Sequence, residues 1–407
     1  MVAQMSKNWS TTTLSEVVNV SRKSVSPAAM EGDIVELYSI PGFDSGKFPQ
    51  VVNPASIGSS KTRVPSDAVL VSLLNPRIPR VGIARGGSFC STEFAVVHPT
   101  SELSLEYLFQ ILQSPSFSNF LAKYSKGTTG SRKRSKREDI LRFPAQIPPL
   151  HEQKRIVDVM GSVDAAISAS QAEVDAAIAL EARINLDVFR PLLAGATVQV
   201  SMRTDMKLGR QKGGAAATDA PKYATMKSGS ITSTHLVNPA SFDEMPIPEA
   251  WIASHGLRPG DVVLAEGGTV GESAVWPDHL VGDYGYDKHV IRIRPLEGKS
   301  TTNFIAHWCR FMKASGTFDA TATGKTISAL GFGRAAKLPF PDLSVTEQED
   351  VVRPLVAADS AVSTSQSALD RLRDLRSSML SVLLSGEHEI PETYDQFLGR
   401  PERAQAG

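Results

Sequence analysis

Two stretches of the chain place apolar residues in alternating steps of four and three. In the first, Ile156, Met160, Val163, Ile167, Ser170, Val174, Ala177, Glu181, Ile184 and Val188 keep this rhythm. In the second, Val351, Leu355, Ala358, Val362, Ser365, Leu369, Leu372, Arg376 and Met379 keep it in the same register, 195 residues later. A stripe of this period held over about four heptads is a coiled-coil seam, so both stretches read as long helices. Ser170 and Ser365 share one step of the seam. Glu181 and Arg376 share another and are its polar interruptions. Gly195 and Gly386 close the stretches and suit left-handed C-terminal caps. Pro191 and Pro354 lie inside them, Pro354 where a kink or the first regular turn would fall. At about 1.5 Å per residue, about 40 residues make a rod of about 60 Å. A narrow seam suits one partner helix better than a broad core, so the rods are expected to pair with each other; the alternative packs each on its own globular domain.

The rods belong to a larger duplication. Leu141–Val157 aligns with Ala336–Val352, placing Pro144 on Pro339, Glu152-Gln153 on Glu347-Gln348, and Ile156-Val157 on Val351-Val352. The ends, Phe189-Arg-Pro-Leu-Leu-Ala-Gly195 and Met379-Leu-Ser-Val-Leu-Leu-Ser-Gly386, align at an offset of 191, so the second rod is shorter by about one helical turn. Outside the rods, short apolar runs such as Val69–Leu74, Glu93–Val97, Asp261–Ala265 and His289–Ile293 read as strands. Leu105–Leu112 and Asn303–Met312 read as helices. The expected fold class is α+β, with two mixed α/β domains alternating with two long helices that pair as an antiparallel coiled coil, under an internal pseudo-two-fold repeat. The expected segments are a first domain at 1–145, a rod at 146–195, a second domain at 196–340, a rod at 341–386 and a polar tail at 387–407.

Hydrophobic residues make up 41% and charged residues 21% of the 407, which excludes disorder as a whole-chain description. Two cysteines cannot build a disulfide framework or a Cys-rich zinc site. The start lacks a secretory apolar core, and no run approaches the roughly 18 apolar residues of a membrane span. A soluble, cytoplasmic protein with no membrane partner is expected. The formal net charge is zero, but it is unevenly spread: +6 over residues 1–150, −3 over 151–195, +3 over 196–340 and −6 over 341–407. The domains are basic, and the rods and tail are acidic.

Motifs for catalysis do not complete themselves. Thr323-Gly324-Lys325-Thr326 resembles the end of a phosphate-binding loop, but the earlier glycine is replaced by Asp319. Gly267-Gly-Thr-Val-Gly271 runs into Glu272-Ser-Ala-Val-Trp-Pro277, which reads as a strand, so it is a strand-to-strand connection rather than a dinucleotide cradle. Asn53-Pro54, Asn75-Pro76 and Asn238-Pro239 all lack the Pro-aromatic that base methylation requires. No His-Glu-x-x-His or Gly-x-Ser-x-Gly occurs. No catalytic residue, metal ligand or cofactor is therefore expected.

The positive signal is cationic. Ser131–Arg137 holds Arg132, Lys133, Arg134, Lys136 and Arg137. Such a run is either a solvated loop or a phosphate contact that gains from counterion release. Asn75-Pro-Arg-Ile-Pro-Arg80 is a second candidate, through Arg77 and Arg80. In the second domain Lys212, Lys227, Lys288, Lys325 and Arg334 are dispersed candidates. Tyr284 and Tyr286 would either read base edges or pack at a strand edge.

This arrangement resembles the specificity subunit of type I restriction–modification systems, over residues 9 to 386. The resemblance rests on Ile147-Pro-Pro-Leu-His-Glu-Gln-Lys-Arg-Ile-Val157 heading a helix that ends in Leu-Leu-x-Gly, and on the second copy ending in Leu383-Leu-Ser-Gly386. Leu257–Ala265 with Gly267–Gly271, and Lys207-Leu-Gly-Arg210, are similar to elements of that family's target-recognition domains. The resemblance implies two target-recognition domains, each reading half of a split double-stranded DNA site, with the coiled coil setting their separation. It implies docking of two methyltransferase subunits, joined by restriction subunits, and no catalytic activity in this chain. The second copy departs from the pattern with Val345-Thr-Glu-Gln348 and Pro354. A DNA-recognition subunit of another defence complex, or a coiled-coil scaffold that binds no nucleic acid, would share the same plan.

Overall fold

The structure, a computed structural model, describes residues 9–126, 133–211, 220–324 and 328–398. The chain divides into two compact units that do not follow sequence order: Met1–Ser170 with Ala368–Gly407, and Gln171–Ser367. Each takes part of both long helices, which run Leu150–Ala194 and Val345–Ser385.

In the first unit a four-stranded antiparallel sheet has the spatial order Val18–Ser21, Phe94–Pro99, Ala68–Ser72, Val81–Ala84. The Ala68–Ser72 strand is buried on both faces, and its alternation feeds two cores. Val69 and Val71 face the helices Leu105–Gln113 and Pro115–Tyr124 through Leu108, Ile111 and Phe117. Ala68 and Leu70 face a second core with Tyr38, Phe94 and Val96. Behind that core lies a five-stranded sheet with one parallel pair, Val35–Tyr38 beside Phe89–Cys90. A two-stranded ribbon, Ser10–Thr13 with Pro144–Ile147, leads into the first long helix.

The second unit repeats the plan. Its four-stranded sheet runs Thr204–Leu208, Val290–Pro295, Val262–Ala265, Ser273–Val275. Val262 and Leu264 face the helix side, while Val263 and Ala265 face a core with Trp276 and Tyr286. A parallel pair recurs in Lys222–Met226 beside Gly285–Tyr286, and the ribbon recurs as Thr197–Gln199 with Pro339–Pro341. The Lys207–Arg210 segment is tied here by close approach. Gly209 donates its N–H to the Val290 carbonyl at 3.0 Å, and a Cβ on it would stand 1.8 Å from the Asp287 carbonyl oxygen. Gly209→Ala is therefore expected to lower unfolding stability by about 3 kcal/mol, read from chemical denaturation of the second unit's tryptophans.

The long helices pack antiparallel within each unit. In the first, Ile156 and Met160 share a core with Leu380 and Leu383; in the second, Phe189 shares one with Val352 and Leu355. Every apolar seam position is buried or half-buried: Ile156, Met160, Val174, Leu355 and Leu369 fully, and Val163, Ile167, Ile184, Val188, Val351, Val362, Leu372 and Met379 partly. Both helices continue through their prolines, so Pro354 ends neither. One of the two caps differs from expectation. Gly386 adopts φ +72° beneath the Trp9 ring, but Gly195 is not left-handed, because the chain passes almost directly into the Thr197–Gln199 strand. Residues 387–398 are no free tail. Asp395 accepts from Arg155 Nε at 2.6 Å and Nη2 at 2.7 Å, the Tyr394 hydroxyl donates to Asp158 at 2.7 Å, and Ile390 packs on the core.

Candidate nucleic-acid interface

In the first unit the fold brings the two basic segments together. Asn75 donates its N–H to the Lys133 carbonyl at 2.8 Å, and Ser135 donates to the Leu73 carbonyl at 3.0 Å. Lys126 and Arg134 exchange backbone hydrogen bonds at 2.9 Å. Asn75 sits at φ +48°, a left-handed turn position that asparagine tolerates, and the turn displays Arg77 and Ile78 to solvent. Arg77, Lys126, Arg134 and Lys136 are exposed here and Lys133 is half-buried. Arg132 lies outside the described residues.

Not every predicted cation is free to meet phosphate. Arg80 donates from Nε and Nη2 to both oxygens of Asp44, at 2.6 and 2.9 Å, with only 11% of its side chain exposed. That bidentate bond, partly offset by desolvation, holds the Asp44 carboxyl below its usual range. Arg134 makes a similar fork to Glu93, at 3.0 and 2.9 Å, but stays 56% exposed. Arg137 donates to the Thr92 and Phe94 carbonyls and holds the start of its helix against a strand. Arg80 and Arg137 are thus bracing residues. Sequence reading missed Lys126 and the exposed Lys123 and Tyr124, because only the backbone pairing of Lys126 with Arg134 carries the end of the Pro115–Tyr124 helix to this surface.

The corresponding segment of the second unit keeps the backbone pattern with fewer cations. Thr323 and Ala329 exchange hydrogen bonds at 2.9 and 3.0 Å, and Leu330 donates to the Glu266 carbonyl at 2.8 Å. Lys288 is exposed beside this loop, since Glu266 donates to the neighbouring His289 carbonyl at 2.7 Å. Lys227 is half-buried and pairs with Asp243 at 3.2 Å. Arg334 is spent on the loop itself, donating to the Leu330 carbonyl at 3.0 Å and the Thr323 hydroxyl at 2.8 Å. Tyr286 is fully buried and packs its ring on Trp251, so it does not reach base edges. Tyr284 is half-buried against Trp276 and Phe242. Both tyrosines follow the packing alternative, because aromatic neighbours cover them where the Gly285–Tyr286 strand pairs with Lys222–Met226. Lys212 and Lys325 lie outside the described residues.

The repeated Glu-Gln has an internal role. Gln153 is fully buried; its Oε1 accepts from Ser104 N–H at 2.8 Å, and its Nε2 donates to the Glu102 and Pro148 carbonyls, each at 2.8 Å. Gln348 repeats this with Thr301 N–H at 3.1 Å and the Lys299 and Leu343 carbonyls at 3.0 Å. Ser104 and Thr301 in turn cap their helices through Tyr107 and Phe304 N–H. Each glutamine therefore locks the first turn of a long helix to the start of a domain helix. The glutamates have diverged: Glu152 accepts from the Trp9 indole at 2.6 Å, whereas Glu347 forms a capping box with Ser344.

One cluster has the composition of a metal site. Glu181, His307 and Asp359 can present one ligand atom each within 4.8 Å of one another. The Arg310 guanidinium already stands against both carboxylates, 2.5 Å from Asp359 and 3.2 Å from Glu181, so an ion network satisfies the cluster. Burial alone would raise the Glu181 pKa, but His307 and Arg310 outweigh it and hold the carboxyl below its ordinary value of 4.5. A depressed folded-state pKa gives stability that is fully present above the unfolded value and is lost as pH falls through the folded one. The second unit is therefore expected to weaken as pH drops below about 4.5. Glu181→Gln should show a smaller acid loss in parallel melts.

This is a duplicated α/β protein in which each unit holds part of both long helices and the first unit carries a cationic cluster. Residues 6–178 match the family of type I restriction modification DNA specificity domains. No curated protein matches the chain. Among solved structures, the chain is similar to one described under complex assembly and conformational transition of the type I R-M system, at 17% identity and TM-score 0.52, covering 95% of this chain and 100% of that one. It is also similar to the HsdS subunit from Thermoanaerobacter tengcongensis, at 18% identity, TM-score 0.40 and coverage of 95% and 98%. The S subunit of the type I system of M. genitalium aligns at 12% identity, TM-score 0.46 and coverage of 93% and 96%. The first likeness shows a shared fold. Among the described residues, no helix is long and apolar enough to cross a membrane.

Proposed function

We propose that this chain is the DNA-recognising subunit of a type I restriction–modification complex. It is itself non-catalytic, reads a bipartite double-stranded target with one half-site per domain, and docks two methyltransferase subunits, with restriction subunits joining them. The observation that carries this reading is that the DNA specificity match, residues 6–178, contains the surface where Arg77, Lys126, Lys133 and Lys136 converge. The equivalent strand order of the second unit's four-stranded sheet supports extending the reading to it. Its weaker charge suggests a modest grip from that side and a larger share for partner subunits. Cations that neutralise phosphates place the protein on the duplex, and groove contacts then select the sequence. Two readers joined by a stiff spacer engage together only when their half-sites lie at the matching distance.

The test is binding to random-sequence duplex over a salt series, with and without a co-expressed methyltransferase bearing an Asn-Pro-Pro-aromatic motif. The reading expects a steep salt dependence and co-purification of the methyltransferase. A scaffold that binds no nucleic acid would show neither.

A further inference from the structure

The polar interruptions of the two seams lie in equivalent places but carry exchanged charges. In the first unit, Arg376 of the second long helix pairs through Nε and Nη2 with Asp164 of the first. Its Nη2 also donates to Gln113 Oε1 at 2.7 Å and lies 3.4 Å from Gln110 Oε1, both on the Leu105–Gln113 helix. In the second unit, Glu181 of the first long helix and Asp359 of the second both meet Arg310 of the Thr302–Ala314 helix, with His307 beside them at 3.7 and 3.6 Å. The repeat offset of the long helices carries Asp164 onto Asp359 and Glu181 onto Arg376. The cap equivalence of Ser104 with Thr301 carries Gln110 onto His307 and Gln113 onto Arg310. Each unit thus holds the same four-residue constellation. Its cation sits on the long helix in one unit and on the domain helix in the other.

We propose that this permutation is a pairing code that makes the first long helix select the second rather than another copy of itself. By the pseudo-symmetry, two first halves from different molecules would bring Asp164 of one against Glu181 of the other, beside Gln113 and with no cation. Two second halves would bring Arg310 and Arg376 onto the single carboxylate of Asp359. The mixed pairing alone places an arginine against a carboxylate in both constellations. Like charges left together in a partly buried site oppose association, which is how interfaces reject a wrong partner. The apolar seams do not discriminate by charge, because uncharged side chains line both: Ile, Val, Met and Ala in the first copy, and Leu, Val, Met and Ala in the second.

The experiment uses the full chain and exchanges residues without altering its composition. Gln113→Arg with Arg310→Gln places two arginines on Asp164 in the first unit and leaves Glu181 and Asp359 without an arginine in the second. Glu181→Arg with Arg376→Glu produces the opposite mismatch. All four substitutions together restore one arginine to each constellation. Each double variant is expected to melt lower than the parent by on the order of 5 °C or more. In both, like halves become compatible, so concentration-dependent dimers should also appear by light scattering. The quadruple variant should recover the parent's melting temperature and mass. A quadruple variant no more stable than either double would overturn the proposal, as would double variants that melt like the parent. These readouts involve no DNA.

Discussion

Serine at Arg77, Lys126, Lys133 and Lys136 together is expected to leave the protein folded and to flatten its salt-dependent grip on duplex DNA. Three of the four are exposed and Lys133 is half-buried, and no ion pair of theirs is seen among the described residues, so their loss removes charge without breaking an internal bond. Each cation that meets a phosphate adds about 0.9 to the slope of log K against log salt. Loss of four contacts should therefore reduce the slope by about three to four and weaken binding to all sequences alike. A matched variant at Arg80 and Arg137 should behave differently, since those guanidinium groups brace Asp44 and the Thr92 and Phe94 carbonyls. It should lower stability, and a loss of affinity there without a loss of stability would contradict the assignment of roles.

Gln348→Ala is expected to be the costliest single side-chain truncation in the second unit, at about 3–5 kcal/mol. It strands the Thr301 N–H and two carbonyls that a buried amide now satisfies, and each unsatisfied buried group costs roughly 1–3 kcal/mol. Gln153→Ala should do the same to the first unit. Urea unfolding followed by domain-resolved hydrogen exchange would separate the two, and a cost below about 1 kcal/mol in either would show that water can replace the amide.

The duplication and the helices were legible because the seam is a simple period and the copies share a register. Strands such as Val262–Ala265 were legible because β-branched runs flanked by glycine leave few alternatives. The cationic surface was half legible. The run before the first rod is plain in the sequence, but its union with the Asn75–Arg80 loop depends on backbone pairing between residues about 60 apart. Composition could not reveal which arginines are already held by carboxylates, as Arg80 is by Asp44. Nor could it reveal that Tyr286 faces inward, since strand alternation fixes faces only once the sheets are known. The repeated glutamine was visible as a motif, but its meaning, a clamp between two helix starts, appears only in three dimensions.

The proposed function requires that this chain select a split DNA sequence for partner enzymes to act on. Mapping of methylated bases in cells with and without the chain tests it most directly, repeated with four residues, about 6 Å of helix, inserted into one long helix. Chain-dependent methylation at two short blocks separated by a fixed gap, with the tolerated gap altered by the insertion, is the expected result. Methylation that is indifferent to the chain, or a gap unmoved by the insertion, would contradict it.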